Sequence, residues 1–574
     1  MTKATIRTAI ENAIRESPLV LLNTDTGRLL DKSGQASSFE SQPIFPKLVS
    51  SMTTHIDHAR IEQEVTEYYH YATFSHKWED NEPLFEKVIR VVVYDLEESP
   101  THNKLQMFCK IVQDAGFHWA WSDTCCVNKA DHVVLQEALV SMFKWYQGSS
   151  LTIIFLRGVL SPSRRGDLVR SIWNTRAWTL QEYHASKVVR FYTEDWVPYL
   201  NLDIPNHKDS PDIISEMEEA TSISARALRA LRPGLDNIRE KLRLASTRQT
   251  TRVEDAAYSL LGIFSTSLPV VYGEGDMALG RLLAQLLTSS GDTNILAWTG
   301  RSGSFNTCLP ADIAVFSESP TSHVPPANED PLMERVVAGL RASSLSLTSV
   351  MRLYDRLNEL PVLLFAGQRM KLPCIVFKLG PVSASRNELQ GQVFRAQTGA
   401  LGVVEITTKE DISRLDSLYL IHPWIDFLLD RQPIGCVMET ILEEEHANRQ
   451  STKLLPSSSP VSPKARSIPP GRRAARLVAK LSRTFSGQPA IPPPDAASLL
   501  PPSSLSETDK KTRALRLVAR LRQPFGALLL TPHLSNVAAY RRVAAESTIV
   551  VQAEEMTSTV LNKVMEGVRV LDVL

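Results

Sequence analysis

Directly behind the aromatic run Phe117-His118-Trp119-Ala120-Trp121, the chain places a carboxylate, two adjacent thiols, an amide and an ammonium: Asp123, Cys125, Cys126, Asn128 and Lys129. A buried strand that breaks abruptly into polar residues is how α/β proteins mount sites, because side chains leave the carboxyl ends of the strands. Asp123 and Glu182 suit general acid–base work or a contact to a sugar hydroxyl, and Cys125 or Cys126 with His76 suits a nucleophile and its base. Each has a plainer alternative. Asp123 and Arg176 would be an ion pair locking a loop to the sheet, and Glu182 a solvated helix residue or a partner of Arg176. The thiols would be packing, since a reactive thiol needs an electropositive, partly exposed setting. Trp78, Trp119, Trp121, Trp173 and Trp178 would line a cleft or fill core, with at least three buried in either case.

The elements that must hold these residues follow from hydrophobic period. Strands are expected at 18–22, 71–75, 117–122, 151–156 and 188–192, and helices at 4–15, 58–69, 104–115, 133–147 and 178–186, with 31–46 as loop. Alternating strands and amphipathic helices imply right-handed crossovers and a mostly parallel sheet covered on both faces. The carboxyl ends then share one rim, which collects Ser75, His76, Trp78, Asp123, Cys125, Cys126 and Arg157, with Arg176, Trp178, Gln181 and Glu182 from a later loop and helix. Further helices are expected at 213–231, 235–245, 252–264 and 277–289, the third opened by Thr251 and Glu254 at capping-box spacing. Gly273-Glu274-Gly275 has neither dinucleotide-fingerprint nor P-loop spacing and is expected to be a turn.

A chain of 574 residues exceeds one core. The expected organisation is an N-terminal extension (1–64), an α/β core (65–200) with a helical part (201–300), a smaller β-rich domain (301–448), a disordered basic insertion (449–530) and strands returning to the β-rich domain (531–574). The formal net charge of +0 hides an asymmetry, because 449–530 holds fifteen Lys and Arg against three Asp and Glu. Twelve of the 34 prolines also fall there, a composition poor in apolar surface to bury. Within it Arg473-Ala474-Ala475-Arg476-Leu477-Val478-Ala479-Lys480-Leu481 recurs forty residues later as Arg513-Ala514-Leu515-Arg516-Leu517-Val518-Ala519-Arg520-Leu521. Each copy can form a short basic amphipathic helix, suited to an anionic membrane or a protein groove; sparse aromatics disfavour specific nucleic-acid readout. Six cysteines without a C-x-x-C pair suit a reducing, cytoplasmic setting and imply neither a disulfide framework nor a zinc site, so no metal is expected. Met1 to Arg15 lacks the apolar core of a secretory signal. The uncharged run Ala256 to Gly273 is expected to be a buried helix entering a loop, not a membrane span.

Four blocks together resemble a known family. Ser75-His76-Lys77-Trp78-Glu79, Trp121-Ser122-Asp123-Thr124-Cys125-Cys126, Trp173-Asn174-Thr175-Arg176-Ala177-Trp178-Thr179-Leu180-Gln181-Glu182 and Arg252-Val253-Glu254-Asp255-Ala256-Ala257-Tyr258-Ser259-Leu260-Leu261-Gly262 resemble, in order, the blocks of the fungal heterokaryon incompatibility (HET) domain, extended by Tyr272-Gly273-Glu274-Gly275. The C-terminal region is similar to the tails of mushroom-type members. Ala177 departs from the family, which usually has Gly there; a methyl is strained only if the backbone needs positive φ. The resemblance implies nonself recognition leading to growth arrest or cell death, through a protein partner or self-association and without a cofactor. It also implies a flavodoxin-like sheet distantly like the Toll/interleukin-1 receptor (TIR) domain. An NAD-cleaving hydrolase using Glu182 with Asp123 is the alternative that fold analogy offers.

Overall fold

The computed structural model describes residues 2–52, 56–317, 345–388, 391–424, 507–522, 524–534, 536–553 and 556–574. Its first sheet has six strands: β1 (Leu21–Asn23), β2 (Arg28–Leu30), β3 (Tyr71–His76), β4 (Trp119–Trp121), β5 (Leu151–Phe155) and β6 (Val189–Tyr192), in the order β2-β1-β4-β3-β5-β6. From β4 to β6 neighbouring strands are parallel; β1 and β2 add an antiparallel edge. Every residue of β3 and β5 is buried, as expected of strands covered on both faces.

The Pro100–Asp114 helix starts where Ser99 accepts from the His102 amide and proline occupies the first turn, and it buries Leu105, Phe108 and Val112. The His132–Gly148 helix is capped by Asp131, which accepts from the Val133 and Val134 amides. Both crossovers return the chain to the same end of the sheet, so the carboxyl ends of β3, β4 and β5 share one rim.

The expected loop at 31–46 is instead the helix Lys32–Glu40 and the start of the helix Ile44–Ser51. Asp31 caps the first by accepting from Gly34, and its run of Ser and Gly left no apolar stripe beyond Phe39. The expected 213–231 helix breaks at Ser222, which is left-handed (φ 54°), into Pro211–Thr221 and Ala225–Ala230. The expected 252–264 helix shrinks to Asp255–Tyr258. Glu254 is not in a capping box; its carboxylate accepts from the Gly273 and Gly275 amides at 2.7 and 3.0 Å. Both glycines have positive φ (97° and 63°), which lets the Tyr272–Gly275 turn wrap that carboxylate.

The second sheet has nine strands: β7 (Leu364–Ala366), β8 (Arg369–Glu388), β9 (Gly391–Thr398), β10 (Gly402–Thr408), β11 (Tyr419–Pro423), β12 (Phe525–His533), β13 (Asn536–Arg542), β14 (Ile549–Val551) and β15 (Val568–Val573). Because β15 pairs with β13 on one side and β8 on the other, β8, β11, β12, β13 and β15 close into a ring without free edges. Along β8, Met370, Leu372, Cys374 and Val376 join the core shared with the first sheet, while Ile375, Phe377 and Leu379 face a second core. The helices Leu347–Asn358, Glu507–Leu521 and Ser558–Gly567 contribute to that second core.

The insertion expected to be disordered through 530 therefore ends earlier. Glu507–Leu521 is a helix, Phe525–His533 a strand, and Arg513 and Arg516 are buried. Averaged with its proline-rich neighbours the stretch reads as unfoldable, but its own leucines pack. Arg520 lies on the same helix, whereas Arg473, Arg476 and Lys480 fall outside the described residues. No described helix is long and apolar enough to cross a membrane.

Arg542 joins the two halves. Its guanidinium donates to the carbonyls of Leu296 (2.9 Å) and Trp298 (2.7 Å) and lies 3.7 Å from the centre of the Trp298 ring, with burial lowering its pKa to about 10. Arg542→Met would strand two buried carbonyls and lose the ring contact, so we expect a loss of about 3 kcal/mol in a urea titration of the full chain.

Candidate functional site at the strand rim

At the end of β3, Ser75 points into the protein and accepts from Trp173 Nε1 (2.8 Å), while its own hydroxyl donates to Glu182 Oε2 (2.5 Å). The first and third sequence blocks are thereby tied in a buried chain from indole to hydroxyl to carboxyl. Glu182 is 5% exposed. Burial, then the charge of Asp123, raise its pKa to about 8, against the Ser75 hydroxyl and the cations Arg176 and Arg248. The carboxyl is therefore largely protonated at neutral pH.

Trp78, 36% exposed, donates from Nε1 to Asp123 Oδ2 at 2.9 Å, and Lys129 Nζ sits 3.5 Å from the centre of the indole ring. Burial raises the Asp123 pKa, and Lys129 and Arg176 oppose it. The expected Asp123–Arg176 contact is not formed as an ion pair; the indole of Trp78 takes that place. Arg176 is held by its backbone instead. It bridges to Gln249, and its carbonyl accepts from Arg248 Nη1 at 2.9 Å. Its charge still acts on Asp123, Glu182 and His76.

His76 is buried against Phe74 (ring centres 4.2 Å apart), with Nε2 3.7 Å from Glu82 Oε1. Burial and the cations Lys104, Arg176 and Lys129 hold its pKa well below the usual value, so it is neutral. Cys125 and Cys126 are buried with sulfurs 3.9 Å apart, and the Cys125 thiol pKa is raised by its bond to Cys126 and by burial. That is the setting of an inert, packed thiol. Trp119, Trp121 and Trp173 are fully buried. Trp178 is part-buried and lies beside Asp255, which it helps to keep ionised against burial; the Asp255 carboxylate accepts from the Tyr272 hydroxyl at 3.0 Å. Gln181 is buried, its Nε2 without a partner.

Sequence reasoning missed Lys104. Its ammonium is buried between Glu79 (3.0 Å) and Glu82, and Arg157 bonds Glu79 (2.8 Å) and Glu194. The signal was present, because Lys104 lies on the same helical stripe as Phe108 and Val112. Two shallow depressions, 500 and 570 Å³, flank Lys77 and Arg157. Leu160, Arg170 and Ile172 line one, and Trp78, Asn81 and Thr101 the other. Their walls mix Lys77, Arg157 and Arg170 with Asp167, Glu79 and Asp80; Glu182 lines neither. Among the described residues no group of three or more His, Cys, Asp or Glu side chains could hold a metal.

Residues 71–165, from the start of β3 to just past β5, match the family model described as heterokaryon incompatibility protein (HET). The chain is 31% identical over 226 residues to vegetative incompatibility protein HET-E-1 of Podospora anserina. That alignment takes in 37% of this chain and only 16% of the relative, so the chain spans a small part of the length of the curated protein it matches. No solved structure matches. The matched range holds the first two blocks; the third is bonded to the first through Ser75 and Glu182, and its Trp178 lies beside Asp255 of the fourth. Over residues 71–165 the chain thus matches the heterokaryon incompatibility (HET) family model, and it is similar over a longer stretch to a vegetative incompatibility protein.

Proposed function

We propose that this chain is an effector or signalling module in fungal nonself recognition, producing growth arrest or cell death by association of its HET domain with a protein partner or with itself. The observation behind this reading is that the family's blocks interlock. Ser75, Trp173 and Glu182 form one buried chain, and Trp78 with Asp123 and Lys129 forms its partly exposed edge. Such residues hold a surface in one shape, which is what a binding module needs. In a fungal host that arrests when the chain is expressed, Asp123→Ala is expected to abolish arrest, because the Trp78 indole and Lys129 lose their common partner. Undiminished arrest from a soluble, folded Asp123→Ala protein would sink the proposal.

A second reading is a TIR-like NAD glycohydrolase on the same rim, with NAD as substrate. It is favoured by the parallel order β4-β3-β5-β6, which is the second-first-third-fourth order of flavodoxin-like sheets, and by the raised pKa of Glu182 beside Asp123. It requires Glu182 to become accessible. NAD turnover by the purified chain that disappears in Glu182→Gln would establish it; no turnover by the folded chain would remove it. Contact of residues 449–530 with an anionic membrane is a separate proposal, resting on their charge.

A further inference from the structure

The tandem basic repeat is unexplained by the HET domain. Its second copy is the Glu507–Leu521 helix, packed against the Leu347–Asn358 helix in the second core. Ala514, Leu517, Val518 and Leu521 are buried there, and two arginines are buried with them. Arg513 Nη1 lies 3.4 Å from the Tyr354 hydroxyl, and Arg516 is 7% exposed. Many amphipathic helices would satisfy the apolar part of this groove; few would also bring a guanidinium to each of two buried positions. Residues 473–481 do both. Arg473, Ala474, Arg476, Leu477, Val478, Ala479 and Leu481 are identical to their counterparts, and the two differences are Ala475 for Leu515 and Lys480 for Arg520.

We propose that residues 473–481 are a second, interchangeable occupant of the groove that holds residues 513–521, so that one groove serves two basic segments of the same chain and always leaves one of them outside. The chain length permits it. Residues 482–524, 43 in number, separate Leu481 from the start of β12, and a coil of about that length has a reach of about 35 Å. Tethering also gives the first copy a high effective concentration at the groove. The resting order follows from the one apolar difference: Leu515 is 5% exposed, and Ala475 in its place would leave that space unfilled, so the second copy holds the groove. The exchange sets which basic segment faces solvent.

Amide hydrogen exchange on the full chain tests this. In the double variant Leu517→Asp with Val518→Asp, residues 473–481 are expected to exchange at least about tenfold more slowly than in the native chain, while 347–358 stays protected. Ala475→Leu alone should move protection from 513–521 toward 473–481 in an otherwise unchanged fold. Adding Leu477→Asp and Val478→Asp to the first pair should strip protection from 347–358. The proposal is overturned if 473–481 gains no protection in the double variant, whether or not 347–358 unfolds, or if Ala475→Leu changes neither copy. It is equally overturned if the gain depends on protein concentration and accompanies a doubled mass, since the first copy would then be occupying another chain.

Discussion

Gly262→Ala is expected to destabilise the HET domain by about 3 kcal/mol, enough to leave much of the protein insoluble. Gly262 ends the fourth sequence block, just past the short Asp255–Tyr258 helix, with its Cα against the side of the His132–Gly148 helix. A Cβ there would lie 2.2 Å from Phe143 Cβ and 2.4 Å from Phe143 Cγ. Phe143 cannot turn away, because its Cβ is fixed to the helix backbone at any rotamer. Relief requires the helix itself to move off β3 and β4, where Tyr146 bonds the Phe74 carbonyl (2.8 Å) and packs edge-on to Trp121. Ala177 supplies the contrast. The family usually has glycine there, yet Ala177 is right-handed (φ −67°, ψ −45°), so its methyl costs nothing and Ala177→Gly should lose less than about 1 kcal/mol. A urea titration of both variants checks the pair. Native stability in Gly262→Ala would mean that the two elements do not approach so closely.

The same two positions indicate what the sequence made legible. Strands β3 and β5 could be read because they are buried on both faces and appear as short uncharged runs rich in β-branched and aromatic residues. Their carboxyl ends therefore named Ser75, His76, Asp123 and Arg157 as neighbours on one rim. Which neighbour bonds which could not be read. Asp123 meets the Trp78 indole and not Arg176, a choice set by loop paths that no periodicity encodes. Lys32–Glu40 was hidden for a different reason: a helix held by one cap and one buried phenylalanine has almost no amphipathic signal. The ring of the second sheet depends on a parallel pairing of β13 with β15 and on β15 meeting β8, nearly two hundred residues away, which local pattern cannot specify. The Glu507–Leu521 helix was legible as a basic amphipathic copy of the repeat, with six apolar residues between Ala514 and Leu521; what the proline-rich composition around it hid was that this helix packs into a core.

Raising the pH from about 6 to 9 is expected to weaken the fold, and Glu182→Gln to remove most of that loss. The sign follows from proton uptake. In the unfolded chain the Glu182 carboxyl ionises near its ordinary 4.5, whereas in the fold it does so at about 8. Between those values the folded state holds a proton that the unfolded state has released, so stability falls as pH rises and levels off above about 8. A shift of that size corresponds to roughly 5 kcal/mol across the full window from pH 4.5 to 8. The buried histidines act in the opposite direction. Burial lowers the pKa of His76 well below its ordinary value of 6.5, and burial with Lys208 and Arg248 lowers that of His184 to about 3. Only the unfolded chain takes up those protons, so stability is lost as pH falls below 6.5. The maximum should therefore lie near pH 6. Thermal midpoints between pH 5 and 9 would show the alkaline limb in the native chain and a nearly flat one in Glu182→Gln. Two neighbours sharpen the test. Asp123→Asn removes the charge that helps raise the Glu182 pKa and should shallow the limb. Ser75→Ala removes the hydroxyl that favours the ionised form, so it should steepen the limb while lowering every midpoint, because Trp173 Nε1 loses its acceptor. Parallel curves for the native and Glu182→Gln chains would mean that the carboxyl is already ionised in the fold, and the enzyme reading would lose the protonated acid on which it depends.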